Sequence, residues 1–112
     1  MKVCGFAYVT APDLETAKKL AQMCLSKKLA ACVNIFQSVC SMYNWKDSQA
    51  EEQEHILIIK TSEDLFETLS EKIKKHHSYE CPCIVFIPFS KVEPNFLKWI
   101  ESQLDGSPPS RG

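Results

Sequence analysis

A ten-residue stretch from Lys74 to Cys83 holds most of the side chains in this sequence that could do chemistry. It reads KKHHSYECPC and places two adjacent imidazoles, His76 and His77, before a phenol, a carboxylate and two thiols. Imidazole and thiolate both bind transition metals, and imidazole suits copper and zinc. The histidine pair is therefore the first candidate metal site. The alternative is that it ends a helix, where cationic side chains stabilise the negative end of the helix dipole.

The two thiols of the same stretch are a second candidate. Cys81 and Cys83 flank Pro82, so both side chains can reach one ion if the backbone is extended. A structural zinc site normally needs four ligands, and the sequence has no second cysteine pair at a suitable spacing. The alternative is that this segment only leads into a buried strand. No GxSxG, Walker A or GxGxxG motif occurs, so no motif supports an enzyme.

A looser set of residues falls at predicted strand ends or just after a helix, and it combines a charged pair with aromatic rings. These side chains could line a pocket between chains. The alternative is a polar rim, in which an exposed ion pair contributes little stability. This candidate intersubunit pocket consists of Tyr43, Trp45, Glu54, Lys60 and Tyr79.

The elements that must position these residues follow from hydrophobic periodicity. Pro12 is expected in the first turn of the first helix, where a missing N–H costs nothing. The polar run KDSQAEEQ is expected to form the turn between two strands. The predicted order is a strand over 3–10, a helix to about 28, strands over 31–45 and 54–60, a helix starting near 61, a strand over 83–89 and a helix over 94–104.

This order, βαββαβ with an added C-terminal helix, predicts an α+β fold of the ferredoxin-like type. In such a sandwich, an antiparallel sheet carries its helices on one face. The strand EHILIIK places Glu54, Ile56, Ile58 and Lys60 on one side, yet its centre is apolar on both sides. A strand of this kind needs cover on both faces. We therefore expect a partner chain on the sheet face that the helices leave open.

Composition restricts the class of protein further. The 112 residues fit one domain, predicted over 1–104 with a disordered tail over 105–112, and the formal net charge of −1 shows no basic excess for nucleic acid. No apolar run is long enough to span a bilayer, and the N-terminus is more typical of a strand than of a signal peptide. The six cysteines are expected to be reduced, which favours a cytoplasmic protein without membrane insertion.

The sequence resembles the CutA family, the divalent-cation-tolerance proteins. The matching segments are YVTAPDLETAKKLA, KKLAACVNIF, SMYNWKDSQAEEQEHILIIKT and HHSYECPCIVFIP with FLKWI, in family order from about Phe6 to Leu104. The resemblance implies a homotrimer in which the long second and third strands build sheets between subunits. It also implies reversible binding of copper(II) or another divalent transition metal and a role in metal-ion tolerance and homeostasis.

The ligands proposed for bacterial members of that family are a cysteine at the end of the first strand and a histidine pair. The histidine pair carries over unchanged, but the cysteine position is Val9 here and the family's usual proline is Ser78. The resemblance therefore implies a site that rests on the two imidazoles, together with Glu80, Cys81 or a neighbouring chain.

Two classes of function are consistent with these features, and neither is an enzyme. The first is a metal-binding trimer for ion homeostasis, which the histidine pair favours. The second is a PII-like signalling or assembly trimer that holds a small anionic ligand or a partner protein between subunits. Trp45, Glu54 and Lys60 could serve the second class. Animal members of the family are associated with anchoring acetylcholinesterase at membranes, although no anchor is evident in this sequence.

Overall fold

The computed structural model describes residues 2–104. They form a four-stranded antiparallel sheet with three α-helices, so the predicted α+β class and the predicted order of elements are confirmed. The tail predicted over 105–112 lies outside the described residues. The elements are β1 (Cys4–Ala11), α1 (Leu14–Ser26), β2 (Cys32–Trp45), β3 (Ser48–Ser62), a 3₁₀ turn (Glu63–Leu65), α2 (Phe66–His76), β4 (Ile84–Pro88) and α3 (Pro94–Gln103).

Helix α1 begins later than predicted. Asp13 is its N-cap residue, and the Asp13 carboxylate accepts a hydrogen bond from the backbone N–H of Thr16 at 2.7 Å. Pro12 therefore lies before the cap rather than in the first helical turn, which corrects the prediction. The bond also lowers the pKa of Asp13, because it favours the charged carboxylate. The buried face of α1 is the predicted apolar stripe of Ala17, Leu20, Ala21 and Cys24.

The strands lie in the order β2-β3-β1-β4, and each neighbouring pair is antiparallel. Strands β1 and β3 pair along the full length of β1, from Cys4 opposite Ser62 to Ala11 opposite His55. Residues directly opposite one another in such a pair point to the same face of the sheet. The register therefore sorts the strand residues into two faces.

Helices α1 and α2 cover one of these faces, which we call the closed face. Its strand residues Val9, Leu57 and Ile59 are fully buried, and they pack with Leu20 of α1 and Leu69 of α2. Burying a side chain of this size stabilises a fold by about 1.5–3 kcal/mol. The closed face thus has a complete core within one chain.

The opposite face, which we call the open face, leaves large apolar side chains in solvent. Phe36 is 57% exposed, Val85 48% and Ile87 41%. Helix α3 does not change this, because its buried residue Ile100 and the following Leu104 pack with Cys4 at the start of β1. From the register, the apolar members of the open face are Phe6, Tyr8, Phe36, Ile56, Ile58, Val85 and Ile87.

The hairpin between β2 and β3 is longer than predicted. Strand β3 begins at Ser48 rather than at Glu54, and only Lys46 and Asp47 form the turn. Strand β1 pairs with β3 from His55 onward, so the earlier part of the hairpin projects as a two-stranded ribbon. The prediction of a polar turn over KDSQAEEQ is wrong because a ribbon with both faces in solvent needs no apolar alternation.

A β-bulge marks the base of this ribbon. The register between β2 and β3 shifts between Phe36 and Val39, where Ser38 has a positive φ of 60°. The backbone N–H of Ser38 donates to Nδ1 of His55 across the hairpin at 3.3 Å. Beyond the bulge, Val39 lies directly opposite Glu54, whereas before it Phe36 lies opposite Ile56. The bulge therefore decides which ribbon side chains lie beside the candidate pocket.

Helix α2 ends at His76, and the chain then runs in irregular structure to β4. No helix within residues 2–104 is long and apolar enough to cross a membrane.

Candidate functional site

His76 is the last residue of α2 and is exposed to solvent. Its Nδ1 lies 2.8 Å from the backbone carbonyl oxygen of Lys72, one helical turn earlier. A carbonyl oxygen can only accept, so Nδ1 carries a proton, and in the neutral tautomer of this kind Nε2 carries the lone pair. Nε2 is therefore the ring nitrogen of His76 that could bind a metal ion.

His77 has left the helix, with φ −99° and ψ 143°, and it is buried. Its Nε2 lies 2.7 Å from the carbonyl oxygen of Thr10 at the end of β1, and its Nδ1 accepts a hydrogen bond from the backbone N–H of Tyr79 at 3.1 Å. The first contact requires a proton on Nε2 and the second requires a lone pair on Nδ1. Both ring nitrogens of His77 are therefore used inside the fold.

The structure thus gives the two predicted imidazole ligands different hydrogen-bond partners within the chain. The helix ends between the two histidines, so His76 bonds back to its own helix whereas His77 bonds to β1. Of the two rings, that of His76 keeps one nitrogen, Nε2, without a hydrogen-bond partner among the described residues. The ring of His77 instead joins the end of α2 to the sheet. Metal binding itself stays a prediction.

Three members of the predicted pocket do come together, and they bring a fourth residue with them. Tyr79 donates its hydroxyl hydrogen to Oε2 of Glu54 at 2.8 Å, and Tyr43 donates to Oε1 of Glu52. The ring of Tyr79 also packs against the ring of His77, with centroids 4.6 Å apart. We call Tyr43, Glu52, Glu54 and Tyr79 the acidic cluster.

Electrostatics keep the phenols of the acidic cluster protonated. Burial, followed by the hydrogen bond to Glu54, raises the pKa of Tyr79 well above its ordinary value. The hydrogen bond to Glu52 is the largest cause that raises the pKa of Tyr43. Each phenol therefore acts as a neutral donor to a carboxylate. The charge of the cluster is negative, which suits a cation better than an anion.

Lys60 and Trp45 lie elsewhere in the chain. Lys60 is six residues from Glu54 along β3 and therefore about 20 Å away at ~3.3 Å per residue. Its Nζ donates to Oδ1 of Asn34 on β2. Trp45 pairs with Ser48 at the tip of the ribbon. Within one chain the predicted pocket is therefore divided, and its assembly between chains stays a prediction.

Cys81 and Cys83 lie in the irregular segment before β4, and both are exposed. Burial is the largest cause that raises the pKa of Cys83, followed by the charges of Glu54 and Cys81. The negative charge of Glu54 is thus part of the electrostatic environment of the Cys83 thiol. Sequence reasoning considered the two thiols but not the effect of the Glu54 charge on Cys83.

Glu52 is the functional candidate that sequence reasoning missed. It stands two residues before Glu54 in the run that was predicted to be a turn. Had that run been identified as a strand, strand alternation would have placed both carboxylates on one face. Glu52 was thus missed because the strand that carries it was predicted to be a turn.

The described part of a single chain does not form a closed metal site. Among the residues from 2 to 104, no group of three or more His, Cys, Asp or Glu side chains converges to hold an ion. The donor that fits a divalent transition metal is the free nitrogen of His76. Further ligands for such an ion would have to come from water or from another copy of the chain.

Comparisons with known proteins agree on one family. The family model described as CutA1 divalent ion tolerance protein matches residues 6–103. The divalent-cation tolerance protein CutA of Archaeoglobus fulgidus is 40% identical over 101 residues, which cover 90% of this chain and 98% of that protein. Protein CutA of Homo sapiens is 33% identical over 94 residues, which cover 84% of this chain and 52% of that protein.

The chain spans about half the length of several plant and animal relatives. The chloroplastic protein CutA of Arabidopsis thaliana, for example, is 38% identical over 95 residues, covering 85% of this chain but only 52% of the relative. Among solved structures, CutA1 from Oryza sativa has a TM-score of 0.91 at 36% identity, with 94% of this chain and 96% of that chain covered. The Thermus thermophilus protein has a TM-score of 0.88 at 33% identity, with 90% and 98% covered.

Proposed function

Because the chain belongs to the CutA1 divalent ion tolerance family, we propose that it binds a divalent metal ion and contributes to metal-ion tolerance and homeostasis. The observation that carries this proposal is the free imidazole nitrogen of His76. Among divalent first-row ions, copper(II) binds nitrogen ligands most strongly. Copper(II) is therefore the ion that we expect the site to hold most tightly, with reversible binding.

The environment of His76 supports this role. Histidines that bind metals usually donate their other ring N–H to a carbonyl or carboxylate, which fixes the tautomer and the direction of the ring. The contact between Nδ1 of His76 and the Lys72 carbonyl provides this arrangement at 2.8 Å. Its exposed position leaves access for water and for ligands from other chains.

We propose that the active species is a homotrimer of ferredoxin-like chains. The chain order βαββαβ and the strand order β2-β3-β1-β4 support the fold label. The open face supports the assembly, since contiguous exposed apolar surface on a folded chain marks a binding surface. Covering Phe36, Val85 and Ile87 with other copies of the chain removes that surface from water. The projecting ribbon of β2 and β3 gives each copy an arm that can reach its neighbours.

We further propose that this is a binding protein rather than an enzyme, and that it works in the cytoplasm. All six cysteines are free, which suits a reducing compartment. Other compartments are named for relatives: one is called chloroplastic and another, of solved structure, is called periplasmic.

A small anionic ligand, as in PII-like regulators, is the weaker alternative. Lys60 is the predicted pocket residue whose charge would attract it, and this side chain is bonded to Asn34 far from the acidic cluster. The carboxylates of Glu52 and Glu54 would repel an anion. Calorimetric titration with nucleotides tests this alternative directly, and micromolar binding would favour it over a metal function.

The metal proposal is tested by copper(II) titration of the full chain with its exposed cysteines, Cys40, Cys81 and Cys83, changed to serine. This parent protein has no exposed thiol left to reduce or bind the ion. We expect His76→Ala to weaken copper(II) binding at least about tenfold and to remove nitrogen hyperfine coupling from the electron paramagnetic resonance spectrum. Lys75→Ala, at the exposed neighbouring position, is the matched control and should bind as the parent does. Equal affinity of the parent and His76→Ala would refute the proposal.

A further inference from the structure

Residues 77–83 form a connection that is held at both ends. At its start, His77 bonds to Thr10 and Tyr79 bonds to Glu54. At its end, Ile84 pairs with Val9 in the sheet. The Cys81-Pro82-Cys83 tripeptide lies between these fixed points, and its proline further restricts the backbone. The two thiols are therefore presented on a segment whose conformation is largely set before any ligand arrives.

The pair also differs from the other cysteines of the chain. Cys4 and Cys24 are buried in the two apolar cores, Cys32 is half-buried in β2, and Cys40 is exposed alone on the ribbon. Cys81 and Cys83 are the exposed cysteines that stand two positions apart, and burial, then the charges of Glu54 and Cys81, raise the pKa of the Cys83 thiol. Two exposed thiols at this spacing can bind one ion together.

From this arrangement we infer that Cys81 and Cys83 form a two-thiolate site for copper(I). Thiolate ligands select soft ions such as copper(I), and a linear ion of this kind is satisfied by two sulfur donors. A structural zinc site instead needs four ligands, and the residues from 2 to 104 contain no group of even three. The site is therefore matched to a soft monovalent ion rather than to a divalent one.

The binding step is a proton exchange without a redox change. One copper(I) ion replaces the hydrogens of two S–H groups, two Cu–S bonds form, and two protons leave to the solvent. Burial and then the charge of Glu54 disfavour a bare thiolate at Cys83, and an arriving cation offsets that charge. Because two protons are released for each ion, affinity should rise steeply with pH between 6 and 8, by up to about 100-fold per pH unit.

This site is distinct from the proposed copper(II) site, since it uses other ligands and another oxidation state. It extends the proposed metal function, but either site can fail while the other stands. His76→Ala should leave copper(I) binding unchanged, and serine at the two cysteines should leave copper(II) binding at His76 unchanged.

The test is anaerobic competition for copper(I) between the reduced full chain and a coloured copper(I) chelator. We expect one ion per chain in the native sequence. Cys81→Ser and Cys83→Ser should each weaken binding about 100-fold or more, because each variant loses one of two ligands. Cys40→Ser is the matched control, an exposed cysteine outside the pair, and it should bind as the native protein does. Unchanged affinity in the Cys81→Ser/Cys83→Ser double variant would overturn the inference.

A second measurement on the native chain does not depend on the folding of a variant. Iodoacetamide followed by peptide mass spectrometry should modify Cys40, Cys81 and Cys83 in the copper-free protein. One equivalent of copper(I) should protect Cys81 and Cys83 while Cys40 still reacts. Protection of Cys40 alone, or of no cysteine, would contradict the site.

Discussion

The two faces of the sheet are built from the same strands but differ in what they need. On the closed face, Leu57 and Ile59 of β3 are fully buried beneath the helices of their own chain. On the open face, Ile56 and Ile58 of the same strand are only half-buried, and Phe36 opposite Ile56 is 57% exposed. Successive residues of β3 therefore alternate between the buried core of the chain and an apolar face that stays partly in solvent.

One chain is enough to remove the apolar side chains of the closed face from water, whereas those of the open face need further chains to cover them. The closed face provides the folding energy of the single domain, because its apolar surface is already removed from water. The open face can gain similar energy only on association. The end of α2, where we propose the metal site, combines both situations, since His77 bonds to β1 whereas His76 bonds only to its own helix.

The largest expected effect separates the two faces at neighbouring positions. Leu57→Ala removes a fully buried side chain and should lower the free energy of unfolding by about 2–5 kcal/mol. Ile58→Asp places a charge on the open face and should instead weaken association, so that the melting temperature becomes strongly dependent on protein concentration. Denaturant and thermal melts at several concentrations measure both effects. A Leu57→Ala loss below about 1 kcal/mol would show that the closed face is not the main core.

The next effect separates the adjacent histidines. His77→Ala leaves the Thr10 carbonyl and the Tyr79 N–H without their buried partner, which should cost about 1–3 kcal/mol of stability. His76→Ala changes an exposed side chain at a helix end and should stay within about 0.5 kcal/mol of the parent. Urea unfolding of the two variants side by side provides the measurement. Equal losses would mean that His77 is no more structural than His76.

The smallest effect concerns Cys24, a buried thiol of the closed-face core. Burial raises its pKa from 9.0 to about 11, because the interior disfavours the thiolate. In the unfolded chain the thiol ionises from about pH 9, so its contribution to stability is complete below that pH and is lost as pH rises toward 11. The native protein should lose roughly 1 kcal/mol more than Cys24→Ala between pH 8 and pH 10. Parallel alkaline melts that fall together would contradict this.

The fold was largely predictable because its core follows simple periodic rules. The stripe of α1 from Ala17 to Cys24 and the apolar centre of β3 both have the spacing of the element that they form. Residues 48–53 escaped prediction because a ribbon with both faces in solvent carries no apolar alternation. The alternation of apolar and polar residues that identifies a half-buried strand is absent from such a segment.

The candidate site was predictable in composition but not in arrangement. His76 and His77 are adjacent in sequence, yet a single change of backbone conformation at His77 sends the two rings to different partners. The contact between Tyr79 and Glu54 joins residues 25 positions apart, and strand register decides it. Periodicity identifies elements, whereas such contacts depend on where one helix stops.

The most direct test of the homotrimeric metal-binding account is native mass spectrometry of the full chain with Cys40, Cys81 and Cys83 changed to serine, after addition of copper(II). The account predicts a species of three times the chain mass of 12.7 kDa, carrying one copper ion per chain, with the copper absent and the trimer intact in His76→Ala. A single-chain species at micromolar concentration, or copper retained in His76→Ala, would contradict it.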